Sequence, residues 1–161
     1  SIIQTDEPEI LLSYLREKGL HESVTSHGAQ IYEAEDASFA GKLKVKSQHS
    51  GFRGEGYLEG FIRNPKDIVN FTFDAEKEGA QTVTIQYAAG YGDAEFQLDV
   101  NGEKQLIIFP STKGWKKWKK VSTTLELKMG TNNISLKMAK KSKDCVNLDY
   151  IEVGGEPVVA K

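Results

Sequence analysis

Hydrophobic and polar residues alternate along most of this chain, and the alternation predicts β-strands from Ile31 onward. A tight hairpin turn is predicted at Asn101 and Gly102, because both residues tolerate positive φ, and a second turn is predicted at 130–133. Each predicted strand has a dry face and a wet face, which is typical of a sandwich of antiparallel sheets and argues against an α/β fold. The predicted strands include residues 69–73, 83–89, 96–100, 121–129, 134–138 and 146–153.

Ahead of the strands, apolar residues at helical spacing predict a short N-terminal helix over 6–18. Thr5 or Asp6 can cap this helix, and Gly19 can end it. We therefore expect an N-terminal helix and linker, a β-sandwich domain and a C-terminal tail, at residues 1–29, 30–155 and 156–161.

The composition excludes several classes of protein. Hydrophobic residues make up 39% of the 161 residues, enough for a core, and no apolar run approaches the roughly 18 residues that a membrane helix needs. A single cysteine, Cys145, excludes an internal disulfide framework and a multi-cysteine zinc site. The net charge of −2 and a pI near 6.0 argue against a general nucleic-acid binder.

Two carboxylates stand close together at the start of the first predicted strand. Residues two apart on a strand project from one face, which would place Glu33 and Glu35 about 7 Å apart. Such a pair repels unless a cation lies between them, and Ca²⁺ prefers oxygen ligands. Asp149 on the last strand is the natural third carboxylate, because the first and last strands of sandwiches are often neighbours.

Two other interpretations of this acidic pair remain open at this point. The pair can simply be a solvated strand end. It can also be the acid and base of a glycosidase, which need a separation of about 5–9.5 Å and one raised pKa. Asp36 next to the pair argues against the catalytic interpretation.

A Trp-Lys-Lys-Trp motif follows a turn-like segment in the second half of the chain. Gly114 indicates an exposed loop that turns Trp115 outward, where a flat indole can cover the C–H face of a sugar ring. The spacing fits a core position for Trp115 equally well. Trp118 leads into a strand and is expected in the core.

A glycine-rich segment, residues 51–57, ends in a tyrosine. No helix is predicted after it, so it does not fit a phosphate-binding loop. Tyr57 is a candidate for a second aromatic wall of a sugar site. The alternative is a turn that is filled by Phe52 and Tyr57.

Seven short motifs follow one another along the predicted strands: YEAEDA (32–37), GFRGEGY (51–57), VTIQYA (83–88), VNG (100–102), GWKKW (114–118), GTNNI (130–134) and VNLDYI (146–151). Their order resembles that of the family 35 carbohydrate-binding modules, with the related family 6 a close second. The resemblance covers about residues 30–153.

The resemblance implies an all-β jelly-roll sandwich of two antiparallel sheets that binds sugar without catalysis. It also implies a structural Ca²⁺ where the first and last strands meet, with Glu33, Glu35 and Asp149 as its side-chain ligands. In the glycan site, Tyr57 and Trp115 match the aromatic positions, and Asn147 matches a polar residue that hydrogen-bonds sugar hydroxyls.

The resulting prediction is a non-catalytic module that targets an appended polysaccharide-degrading enzyme to an oligo- or polysaccharide. The chain begins at Ser1 without a signal stretch, and we interpret it as one monomeric module of a longer bacterial protein that is secreted or displayed on the cell surface. Lys116 and Lys117 leave a uronic-acid-containing glycan open as the ligand. The alternative is a structural or interdomain jelly-roll that keeps the calcium and has no sugar site.

Overall fold

The computed structural model describes residues 23–24, 29–61 and 66–154, which form a jelly-roll sandwich of two antiparallel sheets. A short 3-10 helix, Ala34–Asp36, follows the second strand. In chain order the strands are β1 (Ser23–Val24), β2 (Gln30–Glu33), β3 (Ser38–Ala40), β4 (Lys44–Lys46), β5 (Tyr57–Glu59), β6 (Ile68–Ala75), β7 (Gly79–Ala88), β8 (Ala94–Val100), β9 (Glu103–Phe109), β10 (Lys119–Leu127), β11 (Gly130–Met138) and β12 (Asn147–Val153).

The first sheet has seven strands and is organised around β12. Strand β7 pairs with β12 along one side. On the other side β12 pairs first with β5, at Leu148, and then with β2, from Tyr150 to Val153. Strands β1, β4 and β10 extend this sheet from β2, β5 and β7. The first strand that the sequence predicts, β2, and the last, β12, are therefore neighbours, as expected.

The second sheet has five strands in the order β3-β6-β11-β8-β9. Its period-two pattern is clearest in β8, where Ala94, Phe96, Leu98 and Val100 are buried and the residues between them are half-buried. The inward residues of both sheets form one core, and burial of each large side chain stabilises the fold by about 1.5–3 kcal/mol. The prediction of an all-β sandwich is confirmed.

One of the two predicted turns is confirmed and the other is wrong. Asn101 and Gly102 have φ of 51° and 96° and join β8 to β9. Residues 130–133, by contrast, belong to β11. Asn132 is fully buried there, and its side-chain amide bonds to Lys128 and Asn101, so its polar character serves a buried network between two hairpins.

The predicted N-terminal helix over 6–18 and the tail at 156–161 lie outside the described residues. Among the residues that are described, no helix has the length and apolar character needed to cross a membrane.

Candidate functional site

Three carboxylates from two distant parts of the chain meet beside β12. Glu33 is the last residue of β2, Glu35 lies in the 3-10 helix that follows, and Asp149 lies within β12. One oxygen of each lies within 4.8 Å of the others. The 3-10 turn brings Glu35 beside Glu33, so the predicted placement of both residues along one extended strand is wrong, although the predicted set of three comes together.

A β-bulge presents Asp149 to this cluster. Leu148 pairs with Tyr87 and Tyr150 pairs with Gln86, which leaves Asp149 as an extra residue in the ladder. Leu148 and Ile151 are three positions apart and both lie in the core, which an unbroken period of two does not allow. A bulge re-aims a side chain at a local cost in pairing, and here it directs a fully buried Asp149 carboxylate towards the two glutamates.

Each carboxylate has one oxygen held by the protein. The Arg53 and Glu55 backbone N–H groups donate to Asp149 Oδ2 at 2.8 Å and to Glu35 Oε2 at 3.0 Å. The Arg53 side-chain Nε–H donates to Glu33 Oε2 at 2.8 Å, and Gln86 Nε2–H donates to Asp149 Oδ2 at 2.8 Å. These donors fix the orientation of all three groups.

The second oxygen of each carboxylate is buried and has no hydrogen-bond partner. These atoms are Glu33 Oε1, Glu35 Oε1 and Asp149 Oδ1. A buried polar atom without a partner costs about 1–3 kcal/mol, and more when it is charged. A positive charge placed among three such oxygens would stabilise all of them.

The electrostatics agree with this geometry. Burial, together with the charges of Glu33 and Glu35, raises the pKa of Asp149 to about 7 against the hydrogen bonds from Arg53 and Gln86. Burial and the neighbouring Glu35 carboxylate raise the pKa of Glu33, and burial raises the pKa of Glu35.

The donor set fits the calcium ion that the resemblance implies. It consists only of oxygen atoms, as hard divalent cations prefer, and the Arg53 guanidinium leaves a net charge near −2 for a dication to balance. Gly54 adds a steric requirement, because a Cβ there would lie 2.6 Å from Glu35 Oε2.

A second cluster consists of aromatic residues on three loops between strands. Trp115 is half-buried and lies on Gly90 so closely that a Cβ there would overlap the indole. Tyr91 meets Trp115 edge-on, with ring centroids 5.1 Å apart and planes at 88°, and is 78% exposed. On another side, His49 lies nearly parallel to Trp115 at 6.5 Å. We call Tyr91, Trp115 and His49 the aromatic rim.

The loop that carries Trp115 is tied to the loop that carries Tyr91. Thr112 and Ala89 exchange two hydrogen bonds, of 2.9 and 3.0 Å, and the Ser111 N–H donates to Asp93 at 2.7 Å. The Tyr87 hydroxyl donates to the Pro110 carbonyl at 2.6 Å. These contacts hold the indole on Gly90.

Asn147 lies next to the rim. It is the first residue of β12 and pairs with Ala88, two residues before Gly90. Its side chain is only 6% exposed, so it can reach a ligand only from the floor of a site. The ladder therefore places Asn147 at the end of β7 that leads into Gly90, on which Trp115 lies.

Tyr57 is not an exposed wall, and that prediction is corrected. Its ring is fully buried beneath Phe52, Trp118 and His49, with centroids 5.4, 5.2 and 6.1 Å away. The Gly-rich segment folds over Tyr57, as the alternative interpretation proposed. Trp118 is half-buried at this end and donates to the Ser50 carbonyl, so its predicted place in the core is also wrong.

Sequence reasoning missed Arg53, Gln86, Gly90 and Tyr91. Arg53 and Gln86 lie in the GFRGEGY and VTIQYA motifs, but the sequence around a cation or an amide does not indicate its distant carboxylate partner. Tyr91, in the Ala-Gly-Tyr-Gly-Asp turn, offered a clearer signal, because an aromatic residue between two glycines in a turn is rarely a core residue.

Comparisons with known proteins agree with the fold. A 1,6-alpha-glucosyltransferase of Sporosarcina globispora is 31% identical over 139 residues, which cover 81% of this chain and 11% of that enzyme. A cycloalternan-forming enzyme from Listeria monocytogenes, solved with a pentasaccharide substrate, is 29% identical with a TM-score of 0.73, and the match covers 78% of this chain and 12% of that chain. The chain thus spans only about a tenth of these enzymes.

A family 35 carbohydrate binding module from Clostridium thermocellum shares the fold over nearly its whole length. The match covers 78% of this chain and 96% of that module, with a TM-score of 0.71 and 24% identity. The model of the carbohydrate binding module (family 6) matches residues 33–155. This chain therefore belongs to the family 6 carbohydrate-binding modules, to which family 35 is related.

Proposed function

We propose that this chain is a non-catalytic module that binds an oligo- or polysaccharide at the aromatic rim. The observation that carries the proposal is the position of Trp115, which is half-exposed at the end of the sandwich beside the exposed Tyr91. An indole can cover the apolar face of a sugar ring, while Asn147 on the floor can hydrogen-bond a hydroxyl.

The ligand class follows from the relatives and from local charge. The similarity to an enzyme named a 1,6-alpha-glucosyltransferase makes α-1,6-linked glucans the first glycans to test. The exposed Lys116 and Lys117 beside Trp115 keep uronic-acid-containing glycans as the second. Affinity of the single module should be weak, because a small wet site gains little net free energy.

We also propose that Glu33, Glu35 and Asp149 hold a structural Ca²⁺. Their three inner oxygens, buried and without partners, support this. When bound, the ion supplies the positive charge that lets three carboxylates stay ionised next to one another. Arg53, Glu55 and Gln86 hold the outer oxygens and so leave one oxygen of each carboxylate for the ion.

In the protein that contains it, the module would hold an appended enzyme on its glycan and raise the local substrate concentration, which is an avidity effect. This role implies a location outside the cell or on its surface. Neither cluster includes a separate acid and base beside a cleft, and the proposal assigns no reaction to the chain.

Affinity electrophoresis tests the proposal. The protein is run through gels that contain α-1,6-glucan, β-mannan or a uronate-rich polysaccharide, each with calcium and with chelator. We expect retention on at least one glycan with calcium, and loss of that retention in Trp115→Ala with its melting temperature nearly unchanged. Phe39→Ala is the matched control, because Phe39 is a 37% exposed aromatic residue on an edge strand of the other sheet.

Two results would count against the proposal. If Trp115→Ala is retained like the wild type, the rim is not the glycan site. If the wild type is retained on no glycan at saturating calcium, the structural alternative without a sugar site is favoured.

A further inference from the structure

One loop joins the carboxylate cluster to the aromatic rim. We define the glycine loop as residues 49–56, which precede β5 and include three glycines. The second half of the loop holds the carboxylates. Arg53 donates its backbone N–H to Asp149 and its side-chain Nε–H to Glu33, and the Glu55 N–H donates to Glu35.

The first half of the glycine loop contacts the two tryptophans, Trp115 and Trp118. The Trp118 Nε1–H donates to the Ser50 carbonyl at 2.8 Å, and a Cβ on Gly51 would lie 2.6 Å from Trp118 Cδ1. The His49 ring lies between the rings of Tyr57, at 6.1 Å, and Trp115, at 6.5 Å. Only two residues, Gly51 and Phe52, separate Ser50 from Arg53.

The backbone of the loop takes conformations that favour glycine. Gly51 and Gly54 have φ of 104° and 78°, a region that other residues rarely adopt. Without a cation, the three inner oxygens repel one another and are relieved if the carboxylates separate. Because the loop donates to all three groups, their separation would pull on Arg53 and Glu55 and displace Ser50 and His49.

We infer that the glycine loop couples the two sites, so that glycan affinity depends on the occupancy of the carboxylate cluster, with Trp118 as a positioning residue that holds Ser50, the chain neighbour of His49 in the rim. The inference rests on the proposed function. Coupling between two binding sites is reciprocal, so the glycan must raise calcium affinity by the same factor by which calcium raises glycan affinity. A purely structural ion elsewhere in the fold would not require a route through Trp118.

The test measures this factor in both directions by titration calorimetry. The glycan probe is an α-1,6-linked glucose tetramer, or the oligosaccharide corresponding to another polysaccharide if the gels select it. Its Kd is measured with calcium and with chelator, and the calcium Kd is measured with and without saturating probe. For the wild type we expect about a tenfold change in each direction.

Trp118→Phe separates the loop route from a general loss of stability. Phenylalanine keeps a ring on Tyr57 but cannot donate to the Ser50 carbonyl. We expect the factor to fall to about two, while the calcium Kd without glycan stays within about twofold of the wild type. Thr123→Val is the matched control: it removes the hydrogen bond with Gln105 on another edge, and it should keep the tenfold factor.

Each outcome has a distinct meaning. A wild type that binds the probe equally with calcium and with chelator overturns the coupling but leaves the glycan site standing. A factor that stays tenfold in Trp118→Phe, as would follow if the chelated protein unfolds as a whole, overturns the loop as the route. A wild type that binds no probe at saturating calcium overturns the proposed function and the coupling together.

Discussion

The carboxylate cluster and the aromatic rim lie at neighbouring places in the fold but are built in opposite ways. The carboxylates sit on or directly beside strands β2 and β12, at the centre of the larger sheet. Rim residues sit on loops that are tied to each other by a few hydrogen bonds. The carboxylate cluster is held by the hydrogen bonds of the sheet and by the core. The aromatic rim depends on contacts between loops and on the absence of a Cβ at Gly90, which lets the Trp115 indole lie against the backbone.

This difference indicates how each cluster should respond to change. Damage to the carboxylates should act directly on stability, because their charges are buried against the sheet, and on glycan binding only through the glycine loop. Damage to the rim should act on binding, because its rings are exposed or half-exposed and their removal leaves the core intact.

Calcium removal should destabilise the wild type, and Asp149→Asn should abolish the response. At a calcium concentration about 100 times the Kd, binding adds about 2.7 kcal/mol to the free energy of unfolding. That corresponds to roughly 10 °C in melting temperature for a domain of this size. Thermal melts with calcium and with chelator measure the shift. Asp36→Asn is the control, because Asp36 is exposed beside Glu35 and outside the cluster, and it should keep the full shift.

In chelator, Asp149→Asn should melt at or above the wild-type temperature. The substitution removes one buried charge from a cluster in which burial already raises the pKa of Asp149 to about 7. A chelated variant much less stable than the chelated wild type would show that Asp149 serves packing rather than an ion.

Acidification should weaken calcium binding and stabilise the calcium-free fold. Because burial raises the pKa of Asp149 from 3.8 to about 7, its protonated form favours the folded state. This contribution is fully present below about pH 4 and is lost as pH rises through about 7. The chelated protein should therefore melt at a lower temperature at pH 8 than at pH 5.

Over the same range, protons compete with calcium, so calcium affinity should rise about tenfold from pH 6 to pH 8. Calcium titrations at constant ionic strength measure it. An affinity that does not change with pH would mean that the carboxylates stay ionised without the ion.

Gly90→Ala should weaken glycan binding about tenfold without changing the calcium Kd. The new Cβ would displace the Trp115 indole from its position against Gly90. Glycan titration measures the loss. Gly114→Ala is the control, since its Cβ would meet only the flexible Lys117 side chain at 3.5 Å. Equal affinity of the two variants would show that the position of the indole is unimportant.

Tyr91→Ala should have the smallest effect, about a threefold loss of glycan affinity, because an exposed ring at the edge of a site contributes about 0.5–1 kcal/mol. Met129→Ala, at a 68% exposed position on a different turn, should leave affinity unchanged. If Tyr91→Ala binds as tightly as the wild type, the site is confined to Trp115 and the floor beneath it.

Local sequence predicted the features whose cause is local. The alternation along β8 predicted a half-buried strand because side chains of a strand point to opposite faces whatever the partner strand is. The Asn-Gly turn at 101–102 was predicted for the same reason, since positive φ is a property of those two residues. The buried Asn132 was misread as a turn residue because its partners come from two other segments.

The candidate sites divide in the same way. The sequence contains the three carboxylates and the indole, and their residue types indicate a cation and a sugar. Tyr57 was placed wrongly because the burial of a tyrosine depends on what covers it, and Trp118, Phe52 and His49 come to it only in the folded chain.

By itself, the sequence determined that this protein is a β-sandwich and which of its side chains can bind a hard cation or a sugar ring, because strand periodicity and side-chain chemistry are properties of single residues and their nearest neighbours. Only the tertiary structure decided which carboxylate oxygens are held and which are left without partners, which ring is exposed and which is covered, and that one loop touches both clusters. Those properties depend on contacts between residues as far apart as Arg53 and Asp149, which exist only after β5 and β12 have paired in the larger sheet.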